Sequence, residues 1–127
     1  MVNKLQRVRK VRVLTVIGTR PEVIKMAPVI KELGRRTTDF IVTNVVTGQH
    51  REMSQPYLEM FKIKPNYDLS IMRRAQTLNS IVERILRRLP PVLEDVRPHV
   101  VLVQGDTTSA FAASLAAYHR QISPEDH

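Results

Sequence analysis

Arg20, Lys25, Gln49, His50 and Asp106 are the residues of this chain whose types and positions can do chemistry. Each stands in or just after one of three glycine-punctuated turns: Gly18-Thr19-Arg20-Pro21-Glu22, Thr47-Gly48-Gln49-His50 and Gln104-Gly105-Asp106-Thr107-Thr108. Arg20 and Lys25 flank the start of a predicted helix, whose exposed N–H groups and positive dipole end form an anion site. A guanidinium fixed beside it suits bidentate contact with a phosphate. His50 titrates near neutral pH and can contact a phosphate or a sugar. The Asp106 carboxylate can act as a general acid or base where a crevice partly removes it from water.

Each residue also has a plainer use. Gly18 can simply allow a tight turn while Lys25 pairs with Glu22 on a helix surface. A lone histidine after a strand is commonly just solvated, and aspartate is among the best helix caps. What favours function is shared position. Every one of the three turns ends a run of strand-forming residues, and open parallel sheets bind ligands beyond the carboxyl ends of their strands. Together the turns point to a site for a small phosphorylated or nucleotide ligand.

The elements that must carry these turns are legible in the spacing. Residues 11–17 are rich in β-branched side chains and end at Gly18, a strand followed by a turn. Pro21 is expected at the first helical position, where its missing N–H costs nothing. Val23, Ala27, Ile30 and Leu33 then recur at helical spacing, with Pro28 a kink and Gly34 a terminator. Residues 40–47 read as a second buried strand. Residues 51–62 read as a helix with Met53, Tyr57, Leu58 and Phe61 on one face, interrupted by Pro56. A short strand is expected within 66–71. The clearest helix covers 76–89, where Leu78, Ile81, Val82, Ile85, Leu86 and Leu89 form one stripe. Pro90-Pro91 should end or bend it, with a short turn over 92–96. His99-Val100-Val101-Leu102-Val103 reads as a strand apolar on both faces, as central parallel strands are. Asp106 or Thr107 then caps a small-residue helix over 108–119, and the polar residues 123–127 read as a frayed end. Alternating strands and helices mean a parallel α/β sheet covered on both faces.

Composition narrows the function classes. The 127 residues make one domain, with a hydrophobic fraction of 43% and a charged fraction of 25%. The absence of cysteine excludes disulfides, thiolate metal sites and thiol nucleophiles, and suits a cytoplasmic setting. No metal site is expected. No apolar run approaches the roughly 18 residues that span a bilayer, and residues 1–10 read as a basic leader. The net charge of +8 raises the question of a polyanion partner. The cations are dispersed and no aromatic platform accompanies them, so nucleic acid is not the favoured partner.

At its three turns the chain resembles the non-hydrolysing UDP-N-acetylglucosamine 2-epimerases. The resemblance lies in Gly-Thr-Arg-Pro-Glu and the residues to Pro28, in Val46-Thr47-Gly48-Gln49-His50-Arg51-Glu52-Met53, and in Val101-Leu102-Val103-Gln104-Gly105-Asp106-Thr107-Thr108. It runs in order over about residues 11–122. It implies a three-layer, Rossmann-like parallel sheet, here the incomplete N-terminal half of a glycosyltransferase-B-type two-domain fold whose cleft holds the active site. It further implies interconversion of UDP-N-acetylglucosamine and UDP-N-acetylmannosamine without a nicotinamide cofactor. UDP is eliminated across C1–C2 and added back after C2 is protonated on the opposite face. By this resemblance Arg20 and Lys25 match substrate-binding positions near the diphosphate, and Asp106 matches a catalytic acid. Gln49 and His50 match a segment that forms an activating nucleotide-sugar site in bacterial members. Ala75 stands where some regulated members carry arginine.

The resemblance also sets expectations about what surrounds the chain. Residues 123–127 form a divergent tail where relatives continue with a Gly-His-Val-Glu-Ala-Gly-type segment bearing another carboxylate, and the C-terminal UDP-binding domain is absent. The chain is therefore expected to be a fragment, a truncated frame or one half of a split protein, catalytically incomplete alone. Its expected partners are a UDP-sugar and either a homodimer mate or a separate C-terminal half. The competing readings are a sugar-nucleotide glycosyltransferase of the same fold and a non-catalytic remnant.

Overall fold

The computed structural model describes residues 9–48, 51–105 and 107–126. Nine elements follow in the order β1 (Val11–Ile17), α1 (Arg20–Arg35), β2 (Phe40–Val46), α2 (Arg51–Met60), β3 (Tyr67–Asp68), α3 (Leu78–Val96), β4 (Val100–Val103), α4 (Thr108–His119) and β5 (Ser123–Asp126). The strands form one sheet in the order β3-β2-β1-β4-β5. All four pairings are parallel, with β1 in register along its whole length against β2 and over Val13–Thr15 against β4.

Strand β1 is the spine of the sheet because it can be buried on both faces. Its side chains alternate between two cores. Leu14 and Val16 join Val45, Val101, Val103 and the apolar faces of α3 and α4. Val13 and Ile17 join Leu102 and the buried stripe Val23, Met26, Ala27 and Ile30 of α1. The result is three layers, as the alternating pattern predicts. Thr15 is fully buried within this apolar strand, and its hydroxyl donates to the Asn44 side-chain oxygen at 2.7 Å, so its polarity is satisfied.

Four local expectations are corrected. Helix α3 does not stop at Pro90-Pro91 but continues to Val96. An interior proline costs about 3 kcal/mol. Here the stripe of Ile81, Ile85 and Leu89 carries on through buried Val92 and Leu93, each worth about 1.5–3 kcal/mol on burial, so packing offsets the lost backbone bonds. Leu78 belongs to the periodic pattern yet is 68% exposed, because it lies in the first turn, before the helix meets the sheet. Met53 and Phe61 are likewise exposed, and Leu58 is the buried anchor of α2. Finally, residues expected to fray form β5, paired in parallel from Val100↔Ser123 to Val103↔Asp126. Pro124 is tolerated there because β5 is the outermost strand of the described sheet, where a missing donor can face away from the ladder.

The corrected stripe makes a direct prediction. Ile85→Ala should cost about 2–5 kcal/mol in urea unfolding, the usual loss for a large aliphatic side chain deleted from a core. Leu78→Ala should change stability by less than about 0.5 kcal/mol. Equal losses at the two positions would contradict the packing described.

Candidate active site at the sheet switch point

The order β3-β2-β1-β4-β5 reverses direction between β1 and β4. From β1 the chain winds outward through β2 to β3, then returns to β4 on the other side. The helices leaving β1 and β4 therefore diverge to opposite faces of the sheet. Their turns are left side by side, with a crevice between them, at the position where doubly wound sheets bind ligands.

The structure brings the three sequence-predicted turns into contact at this edge. The backbone of the second turn is tied to the end of β1, with Thr47 N–H donating to Ile17 C=O at 3.0 Å. The first and third turns meet through Gly18 and Ser109. A Cβ at position 18 would lie 2.8 Å from Ser109 Oγ and 3.0 Å from Ser109 Cβ, so only glycine allows this approach. Gly48 is a second necessary glycine, at φ 78° and with the Asp68 carboxylate 2.6 Å from where its Cβ would stand. Arg88 fixes the loop above it, donating at 2.7 Å to both Leu69 C=O and Ser70 C=O.

Arg20 is the first residue of α1, so Pro21 occupies the second helical position rather than the first. The Arg20 guanidinium lies over the Tyr57 ring of α2, 5.7 Å from its centroid. Such stacking contributes about 0.5–1 kcal/mol at an exposed site. It occupies the planar face of the group, while the N–H donors lie along its edge. Lys25 is exposed in the second turn of the same helix. Gln49, His50 and Asp106 lie outside the described residues. The N-cap of α4 is Thr107, whose hydroxyl accepts from Ala110 N–H at 3.1 Å.

The residue that sequence reasoning misplaced is Glu22. It is not paired with Lys25 on the surface but only 3% exposed. Its carboxylate accepts from Thr19 N–H at 2.7 Å and from the Thr19 hydroxyl at 2.6 Å, and it also receives hydrogen bonds from the Gly18 backbone and the Thr107 side chain. Burial pushes the carboxyl above its ordinary value, against the opposing pull of these bonds. The signal was present as Thr19-x-x-Glu22, a capping-box spacing immediately before an apolar run.

Beside the second turn opens a cleft of about 310 Å³ lined by Gly48, Glu52, Ser70, Met72 and Arg73. A larger cleft of about 400 Å³ lies elsewhere, between the C-terminal half of α1 and the segment from Phe61 to Asn66. None of the three turns lines it, so the larger volume is not the chemical site. Among the described residues no helix is long and apolar enough to cross a membrane.

Fold and site together define a doubly wound α/β domain that presents glycine turns and a helix N-terminus at its switch point. A family model described as UDP-N-acetylglucosamine 2-epimerase matches residues 31–124. The UDP-N-acetylglucosamine 2-epimerase of Neisseria meningitidis serogroup A is 54% identical over 112 residues, covering 87% of this chain and 30% of that enzyme. The Bacillus subtilis enzyme of the same name is 50% identical over 116 residues, covering 91% of this chain and 30% of the relative. Among solved structures, the N. meningitidis epimerase bound to UDP-GlcNAc superposes with a TM-score of 0.86 at 51% identity, over 91% of this chain and 31% of that one. The Methanocaldococcus jannaschii enzyme in complex with UDP-GlcNAc and UDP superposes with a TM-score of 0.83 at 30% identity, over 91% and 32% of the two chains. The chain belongs to the UDP-N-acetylglucosamine 2-epimerase family. It spans about 30% of the length of the curated relatives it matches, corresponding to their N-terminal part.

The burial of Glu22 yields a pH prediction. A carboxyl whose folded value is raised holds its proton more tightly in the folded chain than in the unfolded one. Its contribution to stability is complete below the unfolded value of 4.5 and is lost as pH rises through the raised folded value. Urea unfolding should therefore show the parent losing stability relative to non-ionising Glu22→Gln as pH rises above 4.5. A gap that is independent of pH, or that moves in the parent's favour, would contradict a buried, desolvated carboxyl at this position.

Proposed function

We propose that this chain supplies one wall of an active site that interconverts UDP-N-acetylglucosamine and UDP-N-acetylmannosamine by eliminating UDP and adding it back. The observation that carries the reading is the close approach of the Gly18 and Gly105 turns at the switch point, in a chain about half identical to enzymes of that name. As the C1–O bond breaks, negative charge collects on the departing diphosphate. The N-terminus of α1 and the Arg20 guanidinium are preorganised to receive that charge, and groups of this kind lower such barriers most. Lys25 adds a second cation on the same helix. Asp106, in the turn that leads into α4, acts at C2 as an acid or base.

The cleft beside Gly48 is the place for a second, activating nucleotide sugar near Gln49 and His50, with Arg73 as its cation. No nicotinamide is required by elimination and re-addition, since the proton and UDP both return to the same sugar. The chain alone is catalytically incomplete in this reading, and works with a C-terminal part that closes the cleft and holds the uridine. A sugar-nucleotide glycosyltransferase of the same fold is the alternative. The Gly-Thr-Arg-Pro-Glu turn, with its buried glutamate, favours the epimerase.

NMR titration with UDP tests the placement. Shifts should cluster at residues 18–25 and 104–108, with weak affinity because only one wall of the cleft is present. Saturating UDP that perturbs only the basic residues 1–10 would refute the site.

A further inference from the structure

We propose that Glu22 is a positioning residue whose buried carboxylate clips the first turn to the third and so sets the spacing of the anion site. This rests on reading those turns as that site. Gly18, Thr19 and Thr107 come from segments almost ninety residues apart in sequence, yet all donate to one carboxylate. The same two turns also meet in the van der Waals approach of Gly18 to Ser109. A carboxylate has two oxygens and about four lone-pair directions, and accepts without donating. It can therefore satisfy the Gly18 and Thr19 N–H groups and the Thr19 and Thr107 hydroxyls together. Thr107 serves both partners at once, since its hydroxyl accepts from Ala110 N–H while its proton goes to Glu22.

The consequence reaches the residues that meet ligand. Arg20 follows Thr19 directly, and Asp106 directly precedes Thr107. Glu22 holds the residues beside them, Thr19 and Thr107. Such a clip sets the two turns relative to each other before substrate arrives, which is the preorganisation that electrostatic catalysis requires. Glutamine in its place fills the same volume but offers one acceptor oxygen instead of two, and turns an NH₂ toward groups that are themselves donors.

The test compares the 127-residue chain with Glu22→Gln, Gly18→Ala and Arg20→Ala, using amide hydrogen exchange and calorimetric titration with inorganic pyrophosphate. Glu22→Gln should keep the native circular dichroism yet speed exchange at both Gly18–Thr19 and Thr107–Ala110. It should weaken pyrophosphate about tenfold, the worth of a lost charge-assisted hydrogen bond. Gly18→Ala, whose methyl group would press on Ser109 at 2.8 Å and on the Glu22 carboxylate at 3.2 Å, should reproduce both effects. If the parent binds pyrophosphate and Arg20→Ala weakens it while Glu22→Gln does not, the clip is refuted and the anion site stands. Faster exchange confined to Thr19 would equally reduce Glu22 to a helix cap. A parent that binds no pyrophosphate would overturn the anion site and the clip with it.

Discussion

Everything at the site depends on β1 pairing in parallel with both β2 and β4. That double pairing requires a strand apolar on both faces, and Val13, Leu14, Val16 and Ile17 are all buried. Because β1 and β4 are neighbours but not consecutive, no crossover helix covers the gap between their carboxyl ends. The turns that follow them must approach each other closely, and Gly18 permits it. An alanine there would put a methyl group against Ser109 and push the two walls of the crevice apart. The sheet order thus decides where a ligand can bind, and glycine decides how narrow that place is.

Within this frame the chemistry divides between buried and exposed groups. Glu22 is buried and its carboxylate is bonded to Thr19, so it faces backbone rather than solvent. Arg20 is exposed and steadied by stacking on Tyr57, which leaves the N–H donors along the edge of its guanidinium. The second turn is rigid for a different reason, with Gly48 in a left-handed conformation beneath a loop that Arg88 pins to α3. Rigid turns that carry exposed polar groups are what a site for a phosphorylated ligand needs.

Much of this was legible in the chain before any coordinates. Period-two and period-3.6 patterns locate β1, β2, β4 and the main helices, and glycines mark the strand ends that become the site. Periodicity misleads where tertiary packing outweighs a local rule. Pro90 and Pro91 break helices in isolation, yet Val92 and Leu93 are buried strongly enough to carry α3 past them. Leu78 fits the stripe but has no sheet beneath it. Residues 123–126 are polar and contain proline, so nothing local marks β5; the open edge of β4 supplies the reason for it to extend. Glu22 was hidden because a helical glutamate three residues before a lysine looks like a surface ion pair. Only the neighbouring turn, supplied by a segment far away in sequence, shows that it is buried.

The measurement that bears most directly on the proposed chemistry is deuterium incorporation at C2 of UDP-N-acetylglucosamine in D₂O. It should be made with the purified chain alone, then with the C-terminal part of a relative supplied. The proposed half-site predicts no exchange by the chain alone, because missing groups forfeit much of the 7–11 kcal/mol or so that positioning can contribute. It predicts exchange on complementation, falling roughly 10²–10⁴-fold with Asp106→Asn. Exchange by the chain alone at the rate of an intact enzyme, or complemented exchange indifferent to Asp106→Asn, would contradict it.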